Sequence, residues 1–173
     1  VLVPSRALNE LARVLNDDTD VRLVLGARDA SFSVGELHLT IRLIEGEFPN
    51  YRGLIPSAQQ NRLQVDRQGL LDAVRRVRLM ARENSPVRLT MSDGLLELRA
   101  VTLDVGEASE QLDATYEGEE LTVAFNPEYL VDGLEVTPGD EVCLATVDSL
   151  KPALIRPIGS DDFLYLLMPV RVS

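Results

Sequence analysis

The sequence is poor in the residues that most often carry chemistry. Its 173 residues include no Trp, a single Cys143 and a single His38, and aromatics make up only 5%. One cysteine excludes an internal disulfide, and one Cys with one His cannot furnish a zinc set. No stretch approaches the ~20 consecutive apolar residues of a membrane-spanning helix, and Val1-Leu2-Val3-Pro4-Ser5 lacks the charged-then-apolar layout of a signal peptide. A reducing, cytoplasmic setting is expected, with no metal and no cofactor. No glycine loop of the phosphate-binding kind occurs. The chain also lacks an initiating Met and opens on what reads as a strand, so a fragment of a longer protein is expected.

Basic charge is scarce too: the net charge is -11, which on average argues against nucleic acid. The average conceals a cluster. Residues 67 to 82 hold Arg67, Arg75, Arg76, Arg78 and Arg82 against one acid, Asp72, so five of the 17 basic residues share one helical window. Hydrophobic residues at 45% and charged residues at 26% are the balance of a globular protein with an aliphatic core.

Three segments repeat one pattern of short apolar strand, polar break and helical apolar spacing. They are Val1-Leu2-Val3 followed by Leu8, Leu11, Ala12 and Leu15; Leu63-Gln64-Val65 followed by Leu70, Val74, Val77 and Ala81; and Leu121 to Phe125 followed by Tyr129, Leu130 and Leu134. Val3, Val65 and Phe125 each precede a helical Leu by five positions, giving periods of 62 and then 60 residues. Alternating β-rich segments follow each helix: Val21 to Leu25, Ser31 to Val34 and Leu37 to Leu43; Val87 to Met91, Leu95 to Val101 and Gln111 to Tyr116; Glu141 to Val147, Ala153 to Ile158 and Phe163 to Val170. The expected fold is α+β, built from three β-α-β-β-β modules. One module cannot cover its own helix and sheet, so modules two and three are expected to pair into a domain, leaving module one as a half. The prolines of Phe48 to Pro56 and the polar run Ser57 to Asn61 read as a connection between them.

Four islands carry a family resemblance: Glu45-Gly46-Glu47-Phe48-Pro49-Asn50-Tyr51-Arg52, Leu112-Asp113-Ala114-Thr115-Tyr116-Glu117-Gly118, Phe125-Asn126-Pro127-Glu128-Tyr129-Leu130, and Tyr165-Leu166-Leu167-Met168-Pro169-Val170-Arg171. With the repeat, they resemble the β subunit of bacterial DNA polymerase III, the sliding clamp. The resemblance implies the second half of a middle domain (1–52), an interdomain linker (53–61) and a whole third domain (62–173). It implies helices lining a hole, antiparallel sheets outside, and two protomers closing a homodimeric ring on double-stranded DNA without reading sequence. It also implies that polymerases (replicative and translesion), the clamp loader and mismatch-repair proteins dock through short peptide motifs.

From the helical spacing, Arg75, Arg78 and Arg82 share one flank beside the buried Leu70, Val74 and Val77. Given the resemblance, that flank is expected to face DNA; alternatively it is a solvated face making local ion pairs. The resemblance places the peptide groove at Pro49, Gly53, Leu54, Ile55, Asn126, Tyr129, Leu150, Pro152, Leu166, Leu167, Met168, Pro169, Val170 and Arg171, with Tyr129 able to close over a peptide side chain. Core packing is the competing reading for Leu166 and Leu167. Gly53 and Ser85-Pro86 depart from residues common in the family, which bears on peptide preference. Leu79 and Met80 fall off the buried stripe, where the family has an apolar protomer contact; a satellite of the core is the alternative.

Acidic clusters at Asp17-Asp18-Asp20, Glu117-Glu119-Glu120 and Asp161-Asp162 read as solvated turns, since their spacing fits no calcium loop. Cys143 in an apolar strand reads as core, and His38 has no Ser or Cys partner at a diagnostic spacing. A stand-alone peptide-binding module and a carboxylate hydrolase are the rival functions.

Overall fold

A computed structural model describes residues 1–15, 20–56, 58–81, 85–102 and 105–171. The chain divides into two units, Val1–Asn50 and Tyr51–Ser173.

In the first unit, helix α1 (Ser5–Val14) precedes strands β1 (Arg22–Leu25), β2 (Asp29–Val34) and β3 (Leu37–Arg42), which form an antiparallel sheet in that order. Alternation along β2 turns Ala30, Phe32 and Val34 inward, where they meet Leu11 of α1 in a small core. The expected leading strand is reduced to a single bridge between Leu2 and Ile44. Leu8 is 45% exposed and all four residues of β1 are exposed. The sequence pattern gives Leu8 a helical apolar spacing with Leu11, Ala12 and Leu15. This unit contains one module, and one three-stranded sheet does not cover a helix on every apolar side.

The second unit holds β4 (Asn61–Asp66), α2 (Arg67–Val77), β5 (Val87–Ser92), β6 (Leu95–Thr102), β7 (Gly106–Asp113), β8 (Thr115–Glu117), β9 (Leu121–Phe125), α3 (Pro127–Val136), β10 (Glu141–Thr146), β11 (Ala153–Pro157) and β12 (Tyr165–Leu167). Side-chain caps start both helices: Asp66 Oδ1 accepts the Gly69 N–H at 2.6 Å, and Asn126 Oδ1 accepts the Glu128 N–H at 2.9 Å ahead of Pro127. Two antiparallel sheets result, ordered β12-β11-β10-β4-β8 and β7-β6-β5-β9.

The modules pair by exchanging strands. β4 opens module two but hydrogen-bonds to β10 of module three, whereas β9 opens module three and closes the sheet of module two against β5. Helices α2 and α3 pack together. Leu70, Val74 and Val77 of α2 and Leu130 and Leu134 of α3 lie at 0–1% exposure, in one core with Leu89, Leu98, Phe125, Leu144 and Ile155. The expected strand at Gln111 to Tyr116 is divided at Ala114 into β7 and β8, and of Phe163 to Val170 only Tyr165–Leu167 pairs as a strand.

Candidate functional site

The second unit carries a surface concavity of about 600 Å³ lined by Arg88, Thr122, Ala124, Ser149, Leu150, Val170 and Arg171. Three features build it. β5 and β9 set Arg88 opposite Ala124, on the face away from the core. After β12 the chain turns along β9, where the Val170 N–H donates to the Ala124 carbonyl at 2.8 Å. Asp148 Oδ1 accepts the N–H groups of Leu150 and Lys151 at 2.8 and 2.9 Å, which fixes the turn presenting Leu150. Those two N–H bonds hold the Asp148 carboxyl below the usual aspartate range.

Leu150, Met168 and Tyr129 are 59%, 53% and 56% exposed, a high value for large apolar side chains. Tyr129 is on α3, which is fastened to β12 by a hydrogen bond from the Tyr165 hydroxyl to the Tyr129 carbonyl at 2.9 Å. Burial raises the titration of that Tyr165 hydroxyl. Gly133 permits the approach, because a Cβ there would lie 2.5 Å from the Tyr165 ring.

The structure thus brings Leu150, Val170 and Arg171 into one concavity. Asn126, Pro152, Leu166 and Pro169 are half-buried, and Met168 is exposed. Gly53, Leu54 and Ile55 belong to a short 3-10 turn and its exit at the start of this unit, while Pro49 is exposed in the first unit. Leu167 is corrected: at 2% exposure it is core, because strand alternation turns it inward and Leu166 outward. Arg88, Thr122 and Ser149 were missed. Nothing in their local sequence distinguishes them, since the β5–β9 pairing that places two of them joins distant segments.

The arginine flank also departs from expectation. α2 ends at Val77, and Arg78–Met80 form a tighter 3-10 turn. Arg75 Nη2 lies 2.6 Å from Glu135 Oε1, and Arg78 Nη1 lies 3.3 Å from Glu128 Oε1, both acids on α3. Arg76 pairs with Glu110 of β7, which lowers the Glu110 titration. Arg82 lies outside the described residues. Leu79 is 79% exposed as expected. Met80 is corrected to half-buried: its carbonyl accepts the Thr102 hydroxyl at 2.6 Å, and it packs toward Gly106.

Of the acidic clusters, Asp17 and Asp18 lie outside the described residues. Asp20, Glu119 and Glu120 are exposed outside strands, Glu117 is exposed within β8, and Asp161 pairs with Arg156 at 3.1 Å. Among the described residues no three His, Cys, Asp or Glu side chains gather as a metal site. Nor is any helix there long and apolar enough to cross a membrane. His38 Nδ1 lies 2.9 Å from Ser33 Oγ across the β2–β3 pair, on an exposed face.

Residues 52–171 match the family model of the DNA polymerase III beta subunit, C-terminal domain, and residues 1–50 match that of its central domain. The chain belongs to the β sliding clamp family. The beta sliding clamp of Streptomyces coelicolor is 36% identical over 99% of this chain and 49% of its own length. That of Pseudomonas putida is 35% identical over 99% of this chain and 47% of its own. A DnaN sliding clamp from Bartonella birtlesii, bound to griselimycin, superimposes with a TM-score of 0.93 at 37% identity, covering 99% of this chain and 47% of the other. The Bacillus subtilis clamp does so at 0.90 and 29% identity, covering 99% and 46%. The clamp chain therefore spans about half the length of the curated relatives it matches, and its α+β architecture of antiparallel sheets and helices is that of the sliding clamps.

Proposed function

We propose that the protein is the processivity subunit of a replicative DNA polymerase, acting as a sliding clamp. In this reading the intact protomer pairs with a second copy through the region of Leu79 and Met80. The ring encloses double-stranded DNA with Arg75, Arg78 and Arg82 toward the duplex, and contacts to phosphates alone let it slide. It has no catalytic site of its own, and catalysis resides in its partners. Replicative and translesion polymerases, the clamp loader and mismatch-repair proteins would dock by short peptides, which raises their local concentration at DNA.

The observation that carries the docking part is the concavity lined by Arg88, Leu150, Val170 and Arg171, with Leu150 59% exposed; Met168 and Tyr129 are exposed apolar side chains of the same unit. Aliphatic and aromatic surface with a few polar anchors is what a peptide-anchoring groove requires. The griselimycin-bound Bartonella birtlesii clamp supports a ligand-taking surface in this fold. Within the second unit we assign the groove to Gly53, Leu54, Ile55, Asn126, Tyr129, Leu150, Pro152, Leu166, Met168, Pro169, Val170 and Arg171. The test is titration of a fluorescent polymerase-tail peptide against the intact protein and its Tyr129→Ala variant. Binding is expected to weaken about tenfold or more, the scale of losing one buried aromatic anchor; equal affinities would remove Tyr129 from the groove.

A further inference from the structure

A second concavity, of about 630 Å³, opens on the outer face of the five-stranded sheet and shares no residue with the groove. Its floor is set by small residues on β10. Cys143 and Ala145 point to this face, whereas Val142 and Leu144 enter the core. Pairing register then fixes the walls. Cys143 faces Gln64 of β4 on one side and Arg156 of β11 on the other; Ala145 faces Arg62 and Leu154. Two guanidinium groups therefore stand on opposite sides of one strand, over side chains too short to fill the space between them. The Gly159–Asp161 turn and Gln59 complete the rim.

The charge here is out of keeping with a chain of net charge -11. Asp161 is the sole carboxylate in the lining; it reaches Arg156 Nη1 at 3.1 Å, but its side chain is 92% exposed, so the pair is weak. Arg156 Nε is buried without a partner, a costly state for an N–H donor. Arg62 makes no ion pair among the described residues, although Glu117 lies opposite it in the strand register. Burial dominates at the Cys143 thiol and raises its titration, against Arg62 and Arg156, which lower it, and with the Glu117 carboxylate, which raises it, so the thiol is a neutral floor and not a nucleophile.

We propose that this concavity binds a small organic anion, whose carboxylate or phosphate group is held between Arg62 and Arg156 above Cys143. The volume falls within the ~300–1,000 Å³ usual for small-ligand sites. Planar guanidinium groups suit both anions. Ile158, 41% exposed in the lining, offers apolar surface to the rest of the ligand.

Calorimetric titration of the intact protein at low ionic strength with citrate, and separately with inorganic pyrophosphate, tests this. Saturable binding of either supports the site, and the one that binds identifies carboxylate or phosphate as the group recognised. Arg62→Gln and Arg156→Gln should each weaken it about tenfold, the scale of one charge-assisted contact. Asp161→Asn, which frees Arg156, should tighten it, an increase that misfolding cannot mimic. Bound ligand should also slow reaction of Cys143 with a thiol reagent. Binding of neither anion, or equal binding by both Arg variants and the wild type, would overturn the proposal.

Discussion

Arg75 Nη2 and Glu135 Oε1 stand 2.6 Å apart, so a residue proposed to face DNA already has an anionic partner on the neighbouring helix. Asp72 adds a second acid to Arg75 at 3.5 Å, and Arg78 pairs with Glu128 at 3.3 Å. Such exposed pairs contribute little to stability, but they limit how much positive charge the helices offer a duplex. Replacing Glu128 and Glu135 by Gln in the intact protein should raise its affinity for duplex DNA. It should also steepen the salt dependence by about 0.9 log units per log salt for each additional phosphate neutralised. Fluorescence anisotropy across a salt series measures this, and an unchanged slope would count against these arginines reaching DNA.

Leu79, at 79% exposure, is the natural place to disturb protomer pairing without disturbing the core. Leu79→Asp should shift the intact protein toward monomer in analytical ultracentrifugation while its far-UV circular dichroism spectrum is unchanged. A fully dimeric variant would move the contact elsewhere.

Gly133 has a packing role. A Cβ there would meet the Tyr165 ring at 2.5 Å, so Gly133→Ala should cost about 1–3 kcal/mol, as overpacking does. Urea denaturation reads this directly. An unperturbed midpoint would mean that the ring can move aside.

Asp148 gives a pH prediction. Its carboxyl is held low by the N–H groups of Leu150 and Lys151. A depressed folded value means the turn is fully supported above the unfolded aspartate range, about pH 4, and is lost only as pH falls through the lower folded value. The Leu150 amide shift should therefore titrate below about pH 4. Asp148→Ala should abolish that step and loosen peptide binding at neutral pH, as an NMR titration would detect.

Much of this architecture can be read from local patterns. The 3.6-residue spacing of Leu70, Val74 and Val77 and the alternation in β2 identify helix and strand because each records which side of an element is dry. What escapes is whatever depends on pairing between distant segments. A window count of Arg67 to Arg82 sees one acid; the partners Glu110, Glu128 and Glu135 arrive from other elements. Arg62 and Arg156 look unremarkable until β10 sets them on either side of Cys143. Met80 and Leu167 read as surface and prove partly or wholly packed, because a 3-10 turn and a three-residue strand shift which side chain turns inward. The proposed groove residues, by contrast, rest on family resemblance and not on spacing.

The strand exchange in the second unit makes its two modules interdependent during folding. Asn61 meets the chain again at Thr146, 85 residues away, before the five-stranded sheet can form. So much loop closure ahead of any reward is a slow route for a chain of this size. A nick between Glu119 and Glu120 would leave two pieces, each bearing a strand that pairs with a strand of the other. Clasped in this way, they should stay associated after cleavage and refold by complementation, and neither should be stable by itself.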